Sequence, residues 1–178
     1  MLRHASRPTR IPGSQLIRDR RTVRQFREDP VPQLLITKLL DIACWAPNHG
    51  FREPWRFIQY RGEARRTFAE SVVATFSAEE KEKNGDRRLA YYMDIPVHLI
   101  VVAKEDPRAK QREEDFAAVC CWIQNFQLAA GKEGSASSGK RIPICTLRLS
   151  GDGRRPRGER IAPCCTSDIR RHSDARPR

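Results

Sequence analysis

Four arginines and a threonine hydroxyl fall within residues 18–24 of this chain, and their chemistry suits the binding of a phosphate group. Arginine presents a planar fork of N–H donors and keeps its charge, so several arginines close together favour an anion. The donors are Arg18, Arg20, Arg21, Thr22 and Arg24. Arginine clusters are also common on solvated surfaces, so a phosphate site is one of two interpretations of this stretch.

A second group of candidate residues lies in and around the loop 47–54. Trp45 and Trp55 flank this loop, and Asn48 and His49 lie within it. Aromatic rings offer stacking surface, and the polar side chains offer hydrogen bonds to the edge of a flat ligand. The alternative interpretation is a helix stop followed by core packing. Together with the arginine cluster, the loop predicts a site for a phosphorylated, flat cofactor.

Both groups must be positioned by regular elements, and the hydrophobic pattern predicts a mixture of helices and strands. Residues 55–60 alternate apolar and polar like a half-buried strand, and the apolar run 97–103 predicts a central strand buried on both faces. Apolar residues recur at helical spacing elsewhere. The predicted helices are a short turn at 15–19, then 32–45, 62–76, a helix capped by Ser77 and interrupted at Asn84 and Gly85, and 116–130.

The helix predicted over 116–130 follows an acidic first turn at 113–115, which favours a helix N-terminus. It is apolar on two faces. The first face contains Phe116, Val119, Cys120, Ile123 and Phe126, and the second contains Ala117, Cys121, Gln124 and Leu128. We expect one face to pack on the sheet and the other on a partner subunit, although another helix of the same chain could also cover it.

The formal net charge of +12 is unevenly distributed along the chain. Residues 1–130 contain 22 basic and 17 acidic side chains, whereas residues 131–178 contain 12 and 5. The body of the protein therefore lacks the charge of a strong nucleic-acid binder. RNA or DNA binding by the arginine-rich tail is the last of the alternatives, and we do not expect nucleic acid as a partner.

The six cysteines fit neither the spacing of a metal site nor a disulfide framework, and four of them form the adjacent pairs 120–121 and 164–165. Reduced thiols in a cytoplasmic protein are the simplest account, and no metal is expected. The longest apolar run, 95–103, falls far short of the roughly 20 residues of a membrane span. No membrane segment is therefore expected.

Three motifs in the same order resemble the FMN-dependent nitroreductase family. They are RRTVRQF at 20–26, the segment from WAPNH at 45–49 to EPWRF at 53–57, and EDF with QNFQLAA within 114–130. The resemblance implies an α+β, nitroreductase-like sandwich in which helices flank a central sheet of antiparallel type and a long helix lies at a dimer interface. It also implies a homodimer with two FMN sites that passes hydride from NAD(P)H to nitro compounds, quinones or related small-molecule electron acceptors.

The resemblance also implies which residues hold FMN. They are Arg20, Arg21, Thr22, Arg24, Trp45, Asn48 and His49. The arginines and the threonine would hold the phosphate and ribityl chain, and Trp45 and His49 would contact the flavin, often from the opposite subunit. The wider family commonly has Ser at the positions of Asn48 and His49 and Asn at that of Phe51. No catalytic residue is implied, because the flavin carries the redox chemistry, and a hydrogen bond to the cofactor is favoured over proton donation for His49.

The resemblance ends at Ala130, and residues 131–178 have the Arg-, Pro-, Ser- and Gly-rich composition of a disordered segment. The expected organisation is a disordered extension at 1–15, an incomplete FMN-binding domain at 16–130 and a disordered Arg-rich tail at 131–178. A truncated, non-catalytic relative that retains at most flavin or partner binding is therefore the alternative function.

A change of reading frame would account for this tail. Residues 139–144 can be written in codons that, with a preceding T, encode Trp-Lys-Thr-Tyr-Pro-Tyr in a neighbouring frame, and this peptide is similar to a segment that closes on the flavin in the family. We hypothesise that residues 131–178 are translated out of frame. Resequencing the gene tests this, and a reading frame that aligns with functional homologues through Arg178 would refute it.

Overall fold

The computed structural model describes residues 13–20, 30–133, 135–140 and 159–171, the last two segments as backbone only. These residues form helices, strands and one 3-10 turn at His49–Phe51. The helices are α1 (Gly13–Asp19), α2 (Gln33–Ala43), α3 (Ala64–Ala74), α4 (Ala78–Met93) and α5 (Ala109–Lys132). The strands are β1 (Trp55–Arg61), β2 (Val97–Lys104), β3 (Ser135–Lys140) and β4 (Glu159–Arg171).

The strands form one antiparallel sheet in the order β1-β2-β4-β3. β1 pairs with β2 in continuous register, from Trp55 opposite Ala103 to Arg61 opposite Val97. β4 lies on the other edge of β2, and β3 pairs with β4 at the margin of the sheet. The predicted sheet of antiparallel type is thus confirmed.

The pairing of β4 with β2 is interrupted by a bulge. Thr166 lies opposite Ile100 and Ile161 opposite Val102, so residues 162–165 stand against a single position of β2. Pro163 falls inside this bulge, where its missing N–H removes no hydrogen bond from the ladder. The proline is therefore compatible with a strand that has neighbours on both edges.

Helices cover both faces of the sheet because the side chains of β2 alternate between two core clusters. Leu99 and Val101 pack with buried residues of α2 and α5, whereas Ile100 and Val102 pack with Phe68 of α3. All residues of β2 from Val97 to Ala103 are buried. The prediction of a central strand buried on both faces is confirmed.

α5 packs against the sheet and α2 through an aromatic stack that the sequence pattern did not predict. Trp122 is fully buried, with its ring centroid 4.5 Å from that of Phe57 and 5.2 Å from that of Phe126. Phe116 and Cys120, which we expected on this face, are only partly buried. On the second predicted face, Ala117, Cys121 and Gln124 are exposed in the single chain.

α5 begins earlier than predicted. Asp106 accepts a hydrogen bond from the backbone N–H of Arg108 at 3.0 Å, and the turn so formed starts the helix at Ala109. The acidic residues 113–115 consequently lie in the second turn of α5 and not in the first. Their predicted role at the helix N-terminus was wrong.

α4 is continuous, which corrects the predicted interruption at Asn84 and Gly85. The predicted cap is confirmed, since the Ser77 hydroxyl accepts a hydrogen bond from the backbone N–H of Glu80 at 3.1 Å. α4 also packs along α3, where a Cβ at Gly85 would lie 3.9 Å from Cγ1 of Val73. Cap and packing together outweigh the low helix propensity of glycine.

Two segments of the expected disordered tail are strands. β2 would present unpaired N–H and C=O groups on one edge, and β4 satisfies them with its backbone, whatever its side-chain composition. The disorder prediction therefore does not describe residues 135–140 and 159–171. Residues 141–158 and 172–178 lie outside the described residues. Among the helices of the described ranges, none has the length and apolar character that a membrane crossing requires.

Candidate functional site

The loop 47–54 connects α2 to β1 and carries two of the four predicted site residues that the structure describes, Asn48 and His49. Trp45 lies just beyond the end of α2 with its side chain 84% exposed, and His49 is exposed at the start of the 3-10 turn. Phe51 is 92% exposed. Two large aromatic side chains and an imidazole thus lie on the surface of one short segment, available to a ligand or a partner.

Asn48 holds the loop together from inside. Its Oδ1 accepts a hydrogen bond from the backbone N–H of Glu53 at 3.0 Å, and its Nδ2 donates to the carbonyl of Ala46 at 3.3 Å. Both ends of the amide therefore bond to the backbone on either side of the 3-10 turn. Asn48 shapes the loop that presents His49.

The backbone of this loop is strained. Gly50 has a φ of 65°, Phe51 of 51° and Glu53 of 44°, and the last two are not glycines. Left-handed backbone is unfavourable for residues with a Cβ and persists where surrounding contacts enforce it. The loop conformation is thus imposed by its neighbours.

Arg52 fastens the loop to α5. Its Nε and Nη2 donate to Oδ1 and Oδ2 of Asp115, both at 3.1 Å, and Nη2 also donates to Oδ2 of Asp106 at 3.1 Å. Asp115 is 3% exposed and also accepts a hydrogen bond from Gln111 at 3.0 Å. A fork of donors paired with a buried carboxylate is among the stronger polar contacts available to a protein.

Arg52 and Asp115 form a hydrogen-bonded network with Asp106 and Arg108. Arg108 donates to Asp106 through its Nε, its Nη2 and its backbone N–H, and these hydrogen bonds hold the pKa of Asp106 well below its ordinary value. The pKa of Arg52 is raised, chiefly by its hydrogen bond to Asp115. Two guanidinium groups thus face two carboxylates.

The predicted arginine cluster is only partly described. Arg20 directly follows α1, while Arg21, Thr22 and Arg24 lie outside the described residues. α1 and the 3-10 turn both contact α5. The helix that precedes Arg20 and the turn that contains His49 thus contact the same helix. The described residues give no relation between His49 and the remaining cluster.

Sequence reasoning missed Arg52 and Asp115. A signal for Asp115 was present, because it precedes Val119 and Trp122 by four and seven residues and so shares their buried helix face. A carboxylate on a buried face requires a partner. Within the described ranges, no group of three or more His, Cys, Asp or Glu side chains is arranged to bind a metal ion.

Comparisons with known proteins identify the family to which this sequence is similar. The model of the nitroreductase family matches residues 17–139, which extends past Ala130. YfhC of Bacillus subtilis (strain 168) is 37% identical over 123 residues, covering 67% of this chain and 63% of that relative. The matched part thus spans somewhat less than two thirds of YfhC.

Solved structures show the same fold. A nitroreductase-like family protein from Bacillus cereus is 35% identical and matches with a TM-score of 0.87, covering 97% of this chain and 91% of that chain. The FMN-dependent nitroreductase NfnB from Mycobacterium smegmatis, solved in complex with NADPH, matches with a TM-score of 0.67 and 19% identity, covering 90% of this chain and 87% of that chain. The second likeness concerns the fold alone. With the family model matching more than half of its residues, the chain belongs to the nitroreductase family.

Proposed function

We propose that the chain is an FMN-dependent oxidoreductase that transfers hydride from NAD(P)H to small-molecule acceptors such as nitro compounds or quinones. The observation that carries this proposal is the surface formed by the loop 47–54 beside α5, with Trp45 and His49 exposed on a constrained backbone. Membership of the nitroreductase family supports FMN as the flat, phosphorylated ligand.

The donor set fits FMN chemically. Arg20, with Arg21, Thr22 and Arg24, would hold the phosphate and ribityl chain, because guanidinium and hydroxyl donors match phosphate oxygens. Trp45 would provide an apolar surface for the ring system and His49 a hydrogen bond to its edge. Asn48 would act indirectly, since both ends of its amide bond to the backbone of the loop and its border.

When bound, FMN supplies two-electron chemistry, so that NAD(P)H is oxidised to NAD(P)⁺ and, with protons from water, a quinone is reduced to a hydroquinone. The protein holds the cofactor, orients it and excludes water from one of its faces. None of these tasks needs a catalytic acid or base.

A homodimer is part of the proposal. The single chain exposes Ala117, Cys121 and Gln124 on α5, and exposes Trp45 and Phe51 at the loop. A second copy that covered these surfaces would bury apolar area, which is favourable, and would enclose the flavin at the interface.

The first test is the visible absorption spectrum of the purified chain, followed by acid release of the chromophore. A two-banded yellow spectrum with stoichiometric FMN and FMN-dependent oxidation of NAD(P)H is expected. Arg21→Ala should weaken FMN binding about 10-fold or more, the scale of one charge-assisted hydrogen bond. Arg66→Ala removes an exposed arginine of α3 and should leave FMN affinity unchanged.

The alternative is a non-catalytic family relative, and the composition of residues 131–178 is the observation that favours it. A colourless protein that also fails to bind added FMN would support this alternative and would refute the proposal. Binding of FMN without oxidation of NADH or NADPH would restrict the chain to flavin binding.

A further inference from the structure

We propose that Arg52 and Asp115 form a positioning pair, which fixes the loop 47–54 in the conformation that FMN binding requires. This inference rests on the proposed function, because it concerns the same site. Neither residue is assigned a contact with the cofactor. Both act through the backbone that presents His49.

The loop needs an external tether. The hydrogen bonds of Asn48 join the two sides of the loop to each other, but they do not fix the loop against the rest of the fold. Two left-handed residues with a Cβ, Phe51 and Glu53, add strain that relaxation of the loop would release. The residue between them, Arg52, supplies the tether to α5.

The tether has a defined geometry. Both donors of the Arg52 fork lie 3.1 Å from the two oxygens of one buried carboxylate, and a third hydrogen bond of 3.1 Å reaches Asp106 in the turn before α5. Gln111 adds a bond to Asp115 from within the helix. Planar, bidentate pairing restricts both the distance and the orientation of Arg52, and therefore the position of the loop.

The same geometry argues against a phosphate-binding role for Arg52. Its fork is occupied by Asp115, and the carboxylates of Asp106 and Asp115 balance the charges of Arg52 and Arg108. A guanidinium whose fork is already paired with a buried carboxylate offers few free donors to an anion. Arg52 is thus distinct in role from the arginines of residues 18–24.

A double variant separates positioning from general stabilisation. Arg52→Met alone leaves Asp115 buried without its ion-pair partner and should lower both the melting temperature and FMN affinity. Arg52→Met with Asp115→Leu removes both charges, so the melting temperature should recover. FMN affinity, measured by quenching of flavin fluorescence, should remain at least about 10-fold weaker. Arg52→Lys keeps the charge without the fork and should bind FMN as weakly as Arg52→Met.

Arg65→Met is the matched control. Arg65 also joins two elements, since its Nη1 donates to the carbonyls of Met93 at 2.7 Å and Ile95 at 3.3 Å, but it lies on α3, across the sheet from α5. The substitution Arg65→Met should lower the melting temperature and leave FMN affinity unchanged. Amide hydrogen exchange of residues 49–53 should be faster in the Arg52→Met/Asp115→Leu variant than in Arg65→Met.

Different outcomes overturn different claims. If the double variant binds FMN as tightly as the wild-type chain, or if Arg65→Met weakens binding equally, Arg52 and Asp115 are structural residues and the positioning role is wrong. If the wild-type chain itself binds no FMN, the proposed function fails and the positioning role fails with it. The wild-type titration therefore distinguishes the two failures.

Discussion

Phe51 adopts a left-handed backbone conformation, which asparagine adopts more readily than phenylalanine. Its φ of 51° lies in the left-handed region, and its side chain is 92% exposed in the single chain. Asparagine visits this region readily because its short polar side chain bonds locally. Phe51→Asn should therefore stabilise the cofactor-free chain by about 1 kcal/mol, which is roughly 2–4 °C in melting temperature for a chain of this size.

Phe51→Ala is the control for that substitution, since it removes the same exposed ring and keeps a residue that disfavours positive φ. Thermal unfolding of both variants at low protein concentration gives the comparison. Equal melting temperatures for the two variants would show that the ring, and not the backbone conformation, decides the effect.

Asp106 makes part of the stability depend on pH. Arg108, and then Arg52, hold the pKa of Asp106 below its ordinary value of 3.8. The stabilisation is therefore complete above about pH 5 and is lost as the pH falls through the unfolded-state value toward the folded one. Asp106→Asn should lower the free energy of unfolding near neutral pH. The difference in free energy of unfolding between wild type and this variant should become smaller as the pH falls from about 5 to about 3.

Urea unfolding at several pH values measures this difference. Asp41→Asn, at an exposed position of α2, is the control and should follow the wild-type profile. A difference between wild type and Asp106→Asn that is constant down to pH 3 would contradict the proposed source of the acid sensitivity.

Individual residues differed in how far their roles were predictable. The cap at Ser77 follows from neighbours within a few positions, and the local pattern identified it. The contact of His49 with the flavin stays a prediction. Arg52 and Asp115 are 63 positions apart, so no local pattern could pair them. Pairing them required the packing of the loop on α5, which depends on the whole fold.

Among the elements, α4 shows how tertiary contacts override a local signal. Gly85 lies in the interior of a continuous helix, with room for a Cβ at 3.9 Å from Val73. Gly85→Ala should therefore stabilise the protein by about 0.5–1 kcal/mol through higher helix propensity and lower unfolded-state entropy. Chemical denaturation provides the measurement.

Gly62→Ala is the matched control with the opposite expected sign. Gly62 has a φ of 51° and nothing within 4 Å of an added Cβ, so the only effect of the methyl group is backbone strain. Destabilisation by Gly85→Ala would indicate that α4 is interrupted at that point, as its sequence pattern suggests.

The elements that the sequence predicted well are those with a regular hydrophobic period. α2 and β1 have such a period and β2 has a continuous apolar run, and the observed bounds of all three differ little from the expected ones. α5 was expected to begin at Phe116 because its acidic residues resembled a first turn, whereas the Asp106 turn starts it at Ala109. Its buried face was assigned without Trp122 because the expected faces were drawn through Phe116 and Ala117.

At the scale of the whole molecule, the inner position of β4 was not predictable from its sequence. Residues 159–171 lack the alternation of a typical strand and contain Pro163, yet their backbone completes the ladder of β2. Sheet pairing satisfies backbone N–H and C=O groups for almost any side chains, so the composition of the tail did not reveal that it contains strands. Translation of residues 131–178 out of frame stays a hypothesis, which resequencing of the gene tests.

The sheet order gives a prediction about truncation. A chain that ends after Glu133 would lack β3 and β4 and would expose the edge of β2 along residues 98–104. Exposed edges of apolar strands associate with one another, so this chain should aggregate on size-exclusion chromatography. A chain that ends after Arg171 retains both strands and should behave as the full chain does. A monodisperse short chain would show that β4 is dispensable.

The place of β4 in the sheet also affects how the protein is made. Its first residue follows the last residue of β2 by 55 positions, and β3 pairs with β4 although it is translated earlier. At a synthesis rate of about 5–20 residues per second, a nascent chain would hold β2 without its second neighbour for several seconds. Holdase chaperones and slower expression at low temperature are therefore expected to raise the yield of folded protein more than any change at the cofactor site.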